Sequence, residues 1–189
     1  MSRIGNLPII IPSGVTVEVS GHKLVVNGPK GILGMKVAQE IKVEIENNLI
    51  RVKRKNDQKR VKALHGLTRN LIANMIEGVT EGWTKFLELQ GVGFRAQSSG
   101  DKLTLSVGYS HPVEIVAPPG INFEVSDNTK IKVSGIDKQL VGQVAANIKA
   151  IKPPDVYKGK GIRMMGEYIR KKLGKTGKIG VGAGVVGAK

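Results

Sequence analysis

The sequence predicts an α+β protein of two similar duplicated domains, each a small, mainly antiparallel sheet with one packed helix, plus a basic C-terminal extension. Three observations carry this. Short apolar segments of period two are separated by Gly- and Asn-containing turns. Each series of such segments ends in one stretch of helical periodicity. The whole series then recurs after about eighty residues. The expected parts are a first domain over 1–81, a second over 82–152 and the extension over 153–189.

In the first half, "VTVEVSG" places Val15, Val17 and Val19 on one face of a strand, and "KLVVNG" follows after a turn at Gly21-His22. "IKVEIENNLIRVKR" predicts a hairpin around Asn47-Asn48, with Ile41, Val43, Ile45, Ile50 and Val52 facing inward. Asp57 is the expected cap of a helix whose apolar stripe runs through Val61, Leu64, Thr68, Leu71, Ile72 and Met75. Gly78 and Gly82 bracket its end.

The second half repeats the plan. "SGDKLTLSVG" at 99–108 matches "SGHKLVVNG" at 20–28, and "INFEVSDNTKIKV" at 121–133 matches "IKVEIENNLIRV" at 41–52. A helix beginning at Asp137 carries Val141, Val144, Ile148 and Ile151, each eighty residues beyond Val61, Leu64, Thr68 and Leu71. Pro153 ends that helix.

A net charge of +15 over 189 residues points to a polyanionic partner. The excess is uneven: residues 152–189 hold 10 basic and 2 acidic side chains, whereas residues 1–151 hold 20 and 13. Cysteine is absent, which excludes disulfides, thiol catalysis and cysteine zinc sites. No run of eighteen apolar residues is present, and the apolar patch near the start is interrupted by Pro8 and Pro12, unlike a signal peptide. The expectation is a soluble cytoplasmic protein.

Two glycine patterns invite an enzyme reading, and neither supports one. "GVGFRA" at 91–96 follows a strand but leads into a turn and another strand, not the helix that a dinucleotide pyrophosphate needs. "LGKTGK" has Ile169 where a phosphate loop needs glycine. His22, His65 and His111 have no metal-ligand spacing, and His65 is expected at the helix surface or boundary. Nothing in these residues asks for an enzyme, and no enzyme, cofactor or metal is expected.

Two basic stretches remain. "RVKRKNDQKRVK" at 51–62 carries seven basic residues against one acid. From it Arg51, Lys53, Arg54, Lys55 and Arg60 are secondary candidates for RNA contact, together with Arg69 and Arg95. The stronger stretch begins at Pro153-Pro154, which impose an extended path. Gly159 and Gly161 are expected to leave backbone amides open to a phosphate, flanked by Lys158, Lys160 and Arg163. Tyr157 offers a ring that stacks or donates a hydrogen bond. Arg170, Lys171 and Lys172 follow, with Tyr157, Ile162, Tyr168 and Ile169 interleaved among the charges. The last sixteen residues are glycine-rich and cannot bury a core.

"PPDVYKGKGIR" at 153–163 and "GEYIRKKLGKTGK" at 166–178 resemble the C-terminal signature of the sixth large-subunit ribosomal protein family, bacterial type. "SRIGNLPIIIPSGV" at 2–15, "VNGPKG" at 26–31, "LQGVGFRA" at 89–96 and "LSVGYSHP" at 105–112 agree, so the resemblance spans essentially the whole chain. It implies a structural constituent of the large ribosomal subunit that binds large-subunit (23S-type) rRNA mainly through its C-terminal domain and extension. It places that contact near the stalk base and the translation-factor docking region. The implied RNA-binding residues are Tyr157, Lys158, Gly159, Lys160, Gly161 and Arg163, then Arg170, Lys171, Lys172, Lys175 and Lys178. Implied partners are rRNA and neighbouring ribosomal proteins, with no membrane and no small-molecule substrate, in a cytoplasmic, ribosome-bound setting or its organelle equivalent. Asp155-Val156 and Met164-Met165 depart from the family's usual acid-proline and aromatic residues. The alternative reading is a basic architectural or regulatory nucleic-acid-binding protein acting outside the ribosome. Presence in or absence from washed large subunits separates the two.

Overall fold

The computed structural model describes residues 4–46 and 48–174. The first series comprises β1 (Ile9–Ile10), β2 (Thr16–Ser20), β3 (Lys23–Gly28), β4 (Gly31–Lys36), β5 (Ile41–Glu46), β6 (Leu49–Arg54) and α1 (Lys59–Thr80). The second comprises β7 (Trp83–Gln90), β8 (Arg95–Ser99), β9 (Lys102–Ser106), β10 (Val113–Val116), β11 (Ile121–Ser126), β12 (Lys130–Gly135), α2 (Lys138–Ile151) and β13 (Gly161–Met164).

The expected duplication is visible in the pairing. The first domain has two antiparallel sheets, ordered β2-β3-β4 and β1-β6-β5. The second has β8-β9-β10 and β11-β12-β7-β13. Position for position, β7 replaces β1, β12 replaces β6 and β11 replaces β5. Only β13 has no counterpart. Each unit encloses its own apolar cluster, one around Leu24, Ile50 and Ile72, the other around Leu87, Leu103, Ile131 and Ile148.

Local chemistry explains most boundaries. Glu46 of β5 pairs with Leu49 of β6, and just before Leu49 the backbone of Asn48 takes φ 60°, a left-handed conformation that asparagine tolerates. Asp137 caps α2 by accepting from the Gln139 amide at 2.8 Å. Gly91 and Gly93 make the turn that returns the chain into β8, so no helix follows them.

Four expectations are corrected. Asp57 does not cap α1: Gln58 occupies the cap position, and Asp57 instead accepts from Arg54 Nε at 2.7 Å. That hydrogen bond, with the charge of Arg54 behind it, holds the Asp57 carboxyl below the usual carboxylate range. Ile45 faces inward only partly, because it lies one pair from the turn that joins β5 to β6, and it is 40% exposed. His65 is not a surface residue but is 1% exposed, with Nε2 2.8 Å from the Val52 carbonyl and Nδ1 3.2 Å from Arg54 Nη1. Finally, residues 161–164 are not an addition to the fold. They form β13, and Ile162 is fully buried in the second core because the strand pairs along β7.

The two domains are fastened at a joint between α1 and the start of α2. The Asn74 carbonyl accepts from Trp83 Nε1 at 3.0 Å, and its side-chain oxygen accepts from Lys138 Nζ at 2.9 Å. The same ammonium sits 3.9 Å from the centroid of the Trp83 ring. On the first domain's side, Lys30 secures the end of α1, donating its amide to the Val79 carbonyl at 3.0 Å and its Nζ to the Glu81 carbonyl. Gly78 is buried against the Ile136 carbonyl, where no Cβ fits.

Candidate nucleic-acid interface

The interface region starts where α2 stops. The last helical carbonyl, on Ile151, accepts from Tyr109 Oη at 2.7 Å, and Lys152 lies over the Tyr109 ring at 4.7 Å. Pro153-Pro154 then direct the chain outward. Asp155 organises the next five residues. Its carboxylate accepts from the Lys158 amide at 3.1 Å, its carbonyl from the Gly159 amide at 2.9 Å, and its own amide donates to the Lys160 carbonyl at 2.8 Å. The result is a closed loop projecting Tyr157, Lys158 and Lys160, all exposed.

This geometry changes the role of the glycines. Gly159 (φ 74°) and Gly161 (φ 144°) are both buried. A Cβ on Gly161 would lie 2.6 Å from the Pro153 carbonyl oxygen and from Pro154 Cα. The expected open amides are therefore absent: the glycines allow the loop to close on itself, and the Gly159 amide is already bonded within it. What the loop leaves open to a ligand is its side chains.

Arg163 is likewise committed elsewhere. It stands opposite Glu88 in the β13–β7 register, and its Nε and Nη2 donate to Glu88 Oε2 at 3.1 and 2.8 Å. This partly buried ion pair braces the strand and takes one edge of the guanidinium. Beyond β13, Glu167 takes a parallel bracing part. Its carboxylate meets Lys149 Nζ at 2.6 Å and accepts from the Met164 amide at 3.1 Å. The Lys149 hydrogen bond, then the Met164 amide, holds the Glu167 carboxyl below its ordinary value.

The Lys172 amide donates to the Val156 carbonyl at 2.9 Å, so residues 165–174 fold back against the loop at 155–160. Lys171 Cε would be 3.7 Å from a Cβ at Gly159. The structure thus brings the stretch 157–160 beside 170–172, with Tyr157, Lys158, Lys160, Arg170, Lys171 and Lys172 all exposed. Tyr168, 87% exposed, lies on the returning stretch, although the sequence pattern alone does not single it out as a contact. Its signal is legible all the same, an aromatic two residues before Arg170 in a stretch with no apolar periodicity. Lys175 and Lys178 lie outside the described residues.

The secondary candidates divide. Arg54 is held by Asp57 and His65, Arg69 donates to the Leu7 and Pro8 carbonyls at 3.3 and 3.4 Å, and Lys53 pairs with Glu44 at 2.5 Å. Arg51, Lys55, Arg60 and Arg95 are exposed, with no ion-pair partner among the described residues. Among those residues there is also no group of three or more His, Asp or Glu placed to hold a metal ion, and no helix long and apolar enough to cross a membrane.

The profile of the family described as "Ribosomal protein L6" matches residues 11–82 and 90–164. The chain belongs to the ribosomal protein L6 family. The L6 match falls on the duplication: its first stretch ends just before β7, and its second ends with the last residue of β13. Relatives named "Large ribosomal subunit protein uL6" agree over 178 residues, 94% of this chain and 100% of theirs. The protein of Halalkalibacterium halodurans is 60% identical, that of Listeria monocytogenes 56% and that of Enterococcus faecalis 53%. The α+β duplication expected from the residues is therefore the architecture of this L6 family member.

Proposed function

We propose that this chain is a non-enzymatic constituent of the large ribosomal subunit that binds large-subunit rRNA mainly through its second domain and the segment that follows. Its contact lies near the stalk base and the factor-docking region, with neighbouring ribosomal proteins as further partners, in a ribosome-bound setting. On this reading residues 1–81 and 82–152 are the two domains, and the RNA face begins at 153. One observation carries it: a loop and an adjoining strap, braced by Asp155, Glu88–Arg163 and Lys149–Glu167, carry five exposed cations and two exposed tyrosines. Lysines supply point charges for phosphates, Arg170 a planar fork, and the rings a stacking surface for unpaired bases.

The test is rRNA binding by full-length protein with Lys158, Lys160 and Lys171 all changed to glutamine. Removing one phosphate-binding cation lowers the log–log salt slope by roughly 0.7–0.9, so the triple variant should bind with a slope shallower by about 2. Unchanged affinity and slope would overturn the assignment. Crosslinking in intact subunits checks the location: adducts from Tyr157 or Tyr168 to rRNA near the stalk base support it, and adducts elsewhere remove it.

A further inference from the structure

A second concentration of cations lies in the first domain, outside the face just described. Residues 1–81 carry 13 Lys and Arg against 7 Asp and Glu, whereas residues 82–152 carry 8 against 6. Much of the excess gathers where β5 begins, β6 ends and α1 starts. Strand register places Lys42 directly opposite Lys53, and on the neighbouring sheet Lys23 opposite Lys36. Like charges directly opposite each other weaken a sheet. α1 adds Lys59, Arg60 and Lys62, all exposed.

Two open cavities meet at this corner and share Lys55. One, of about 280 Å³, has Lys42 and Lys55 in its wall; the other, of about 400 Å³, has Lys53, Arg54 and Lys55. Glu44 takes Lys53 and Asp57 takes Arg54. Lys42 and Lys55 have no ion-pair partner among the described residues. The core requires none of these charges, because Ile41, Ile50 and Val52 supply the buried faces of the same strands. A polyanion laid across the corner relieves the repulsion that the register builds in.

We propose that the first domain carries a second phosphate-binding surface, centred on Lys42, Lys53 and Lys55, so that the chain bridges two segments of RNA. The proposal rests on the reading that the C-terminal face binds rRNA. Lysines on an open surface suit the phosphate backbone of folded RNA, not base edges. The joint at Asn74, Trp83 and Lys138 makes the pair of surfaces useful. Once one face holds RNA, the fixed domain geometry makes the second engagement intramolecular at a defined separation.

The test compares full-length protein with Lys42→Gln, Lys53→Gln and Lys55→Gln against the Lys158/Lys160/Lys171 glutamine variant. The probe is deproteinised bacterial large-subunit rRNA cut into fragments. Two quantities are read: the salt slope of binding, and whether an immobilised fragment–protein complex captures a second, labelled fragment. The first-domain variant should keep the first fragment, fail to capture the second, and show a salt slope shallower by about 2 on uncut rRNA. Unchanged slope and capture would overturn the proposal, and an acidic protein as the partner of this corner predicts that result. If the C-terminal variant binds normally while the first-domain variant loses all binding, the earlier reading fails and this surface stands. Lys55→Glu guards against compensation: reversal of one charge should lower capture further, and no effect of reversal also overturns the bridge. Unaltered circular dichroism and melting temperature verify that the variants fold.

Discussion

Gly161 shows how a single residue shapes the interface without touching a partner. Its positive φ and its packing on the Pro153-Pro154 backbone leave no space for a side chain. Gly161→Ala combines φ strain with overpacking and should destabilise the protein by about 2–4 kcal/mol, read by denaturant unfolding. A variant as stable as the parent would show that the loop adjusts freely. The position of the glycines is legible in "YKGKGIR", but their role is not. Whether a glycine bares an amide or closes a loop depends on the hydrogen bonds of Asp155 and the approach of the Pro153-Pro154 backbone. The same limit applies to Arg163, whose partner Glu88 is 75 positions away. His65 is different, since Val61, His65, Thr68 and Ile72 form one helical stripe. Its burial can be read from spacing; the Val52 carbonyl that satisfies it cannot.

β13 is the one element that the duplication does not explain, and on the proposed reading it sets the second domain apart as the RNA-facing one. In the first domain the equivalent edge is β1, two residues long and set between Pro8 and Pro12, neither of which has an amide to offer a further strand. Arg69 also occupies the carbonyls of Leu7 and Pro8. In the second domain β7 is eight residues long, and β13 covers its edge. Ile162→Ala leaves a cavity in the second core and should cost about 2–5 kcal/mol in chemical denaturation; a cost below about 1 kcal/mol would mean that β13 is peripheral. The strap after β13 is predicted to be acid-sensitive. Lys149 holds the Glu167 carboxyl below its ordinary value of 4.5, so the pair stabilises the fold fully above that value. The contribution disappears as pH falls through the lower native value. Glu167→Gln should therefore lower the melting temperature at about pH 7, with the gap from the parent closing as pH drops below about 4.5. A gap independent of pH would assign the strap's order to other interactions.

At the scale of the whole molecule, two separate cores would permit two independent domains, and the joint decides otherwise. Asn74 presents both its oxygens across the boundary, one to Trp83 and one to Lys138, while Lys138 also covers the Trp83 ring. Trp83 and Lys138 both belong to the second domain, so opening the joint would break the two hydrogen bonds to Asn74, while the Lys138–Trp83 contact holds the two donors together on their own side. Lys138→Ala removes one of the two hydrogen bonds across the boundary and uncovers the Trp83 ring while leaving both cores untouched, at an expected cost of about 1 kcal/mol in coupling. Trp83 is the single tryptophan, so its emission reports on this boundary alone. The variant should show red-shifted emission and a broadened or split thermal transition, with the far-ultraviolet signal of each domain preserved. Gly78→Ala acts on the same boundary by steric means, because any Cβ there meets the Ile136 carbonyl. It should change the small-angle scattering profile more than Lys138→Ala does. If both variants leave emission, melting and scattering unaltered, the domains are held together by packing elsewhere, and the fixed spacing between the two basic surfaces must have another source.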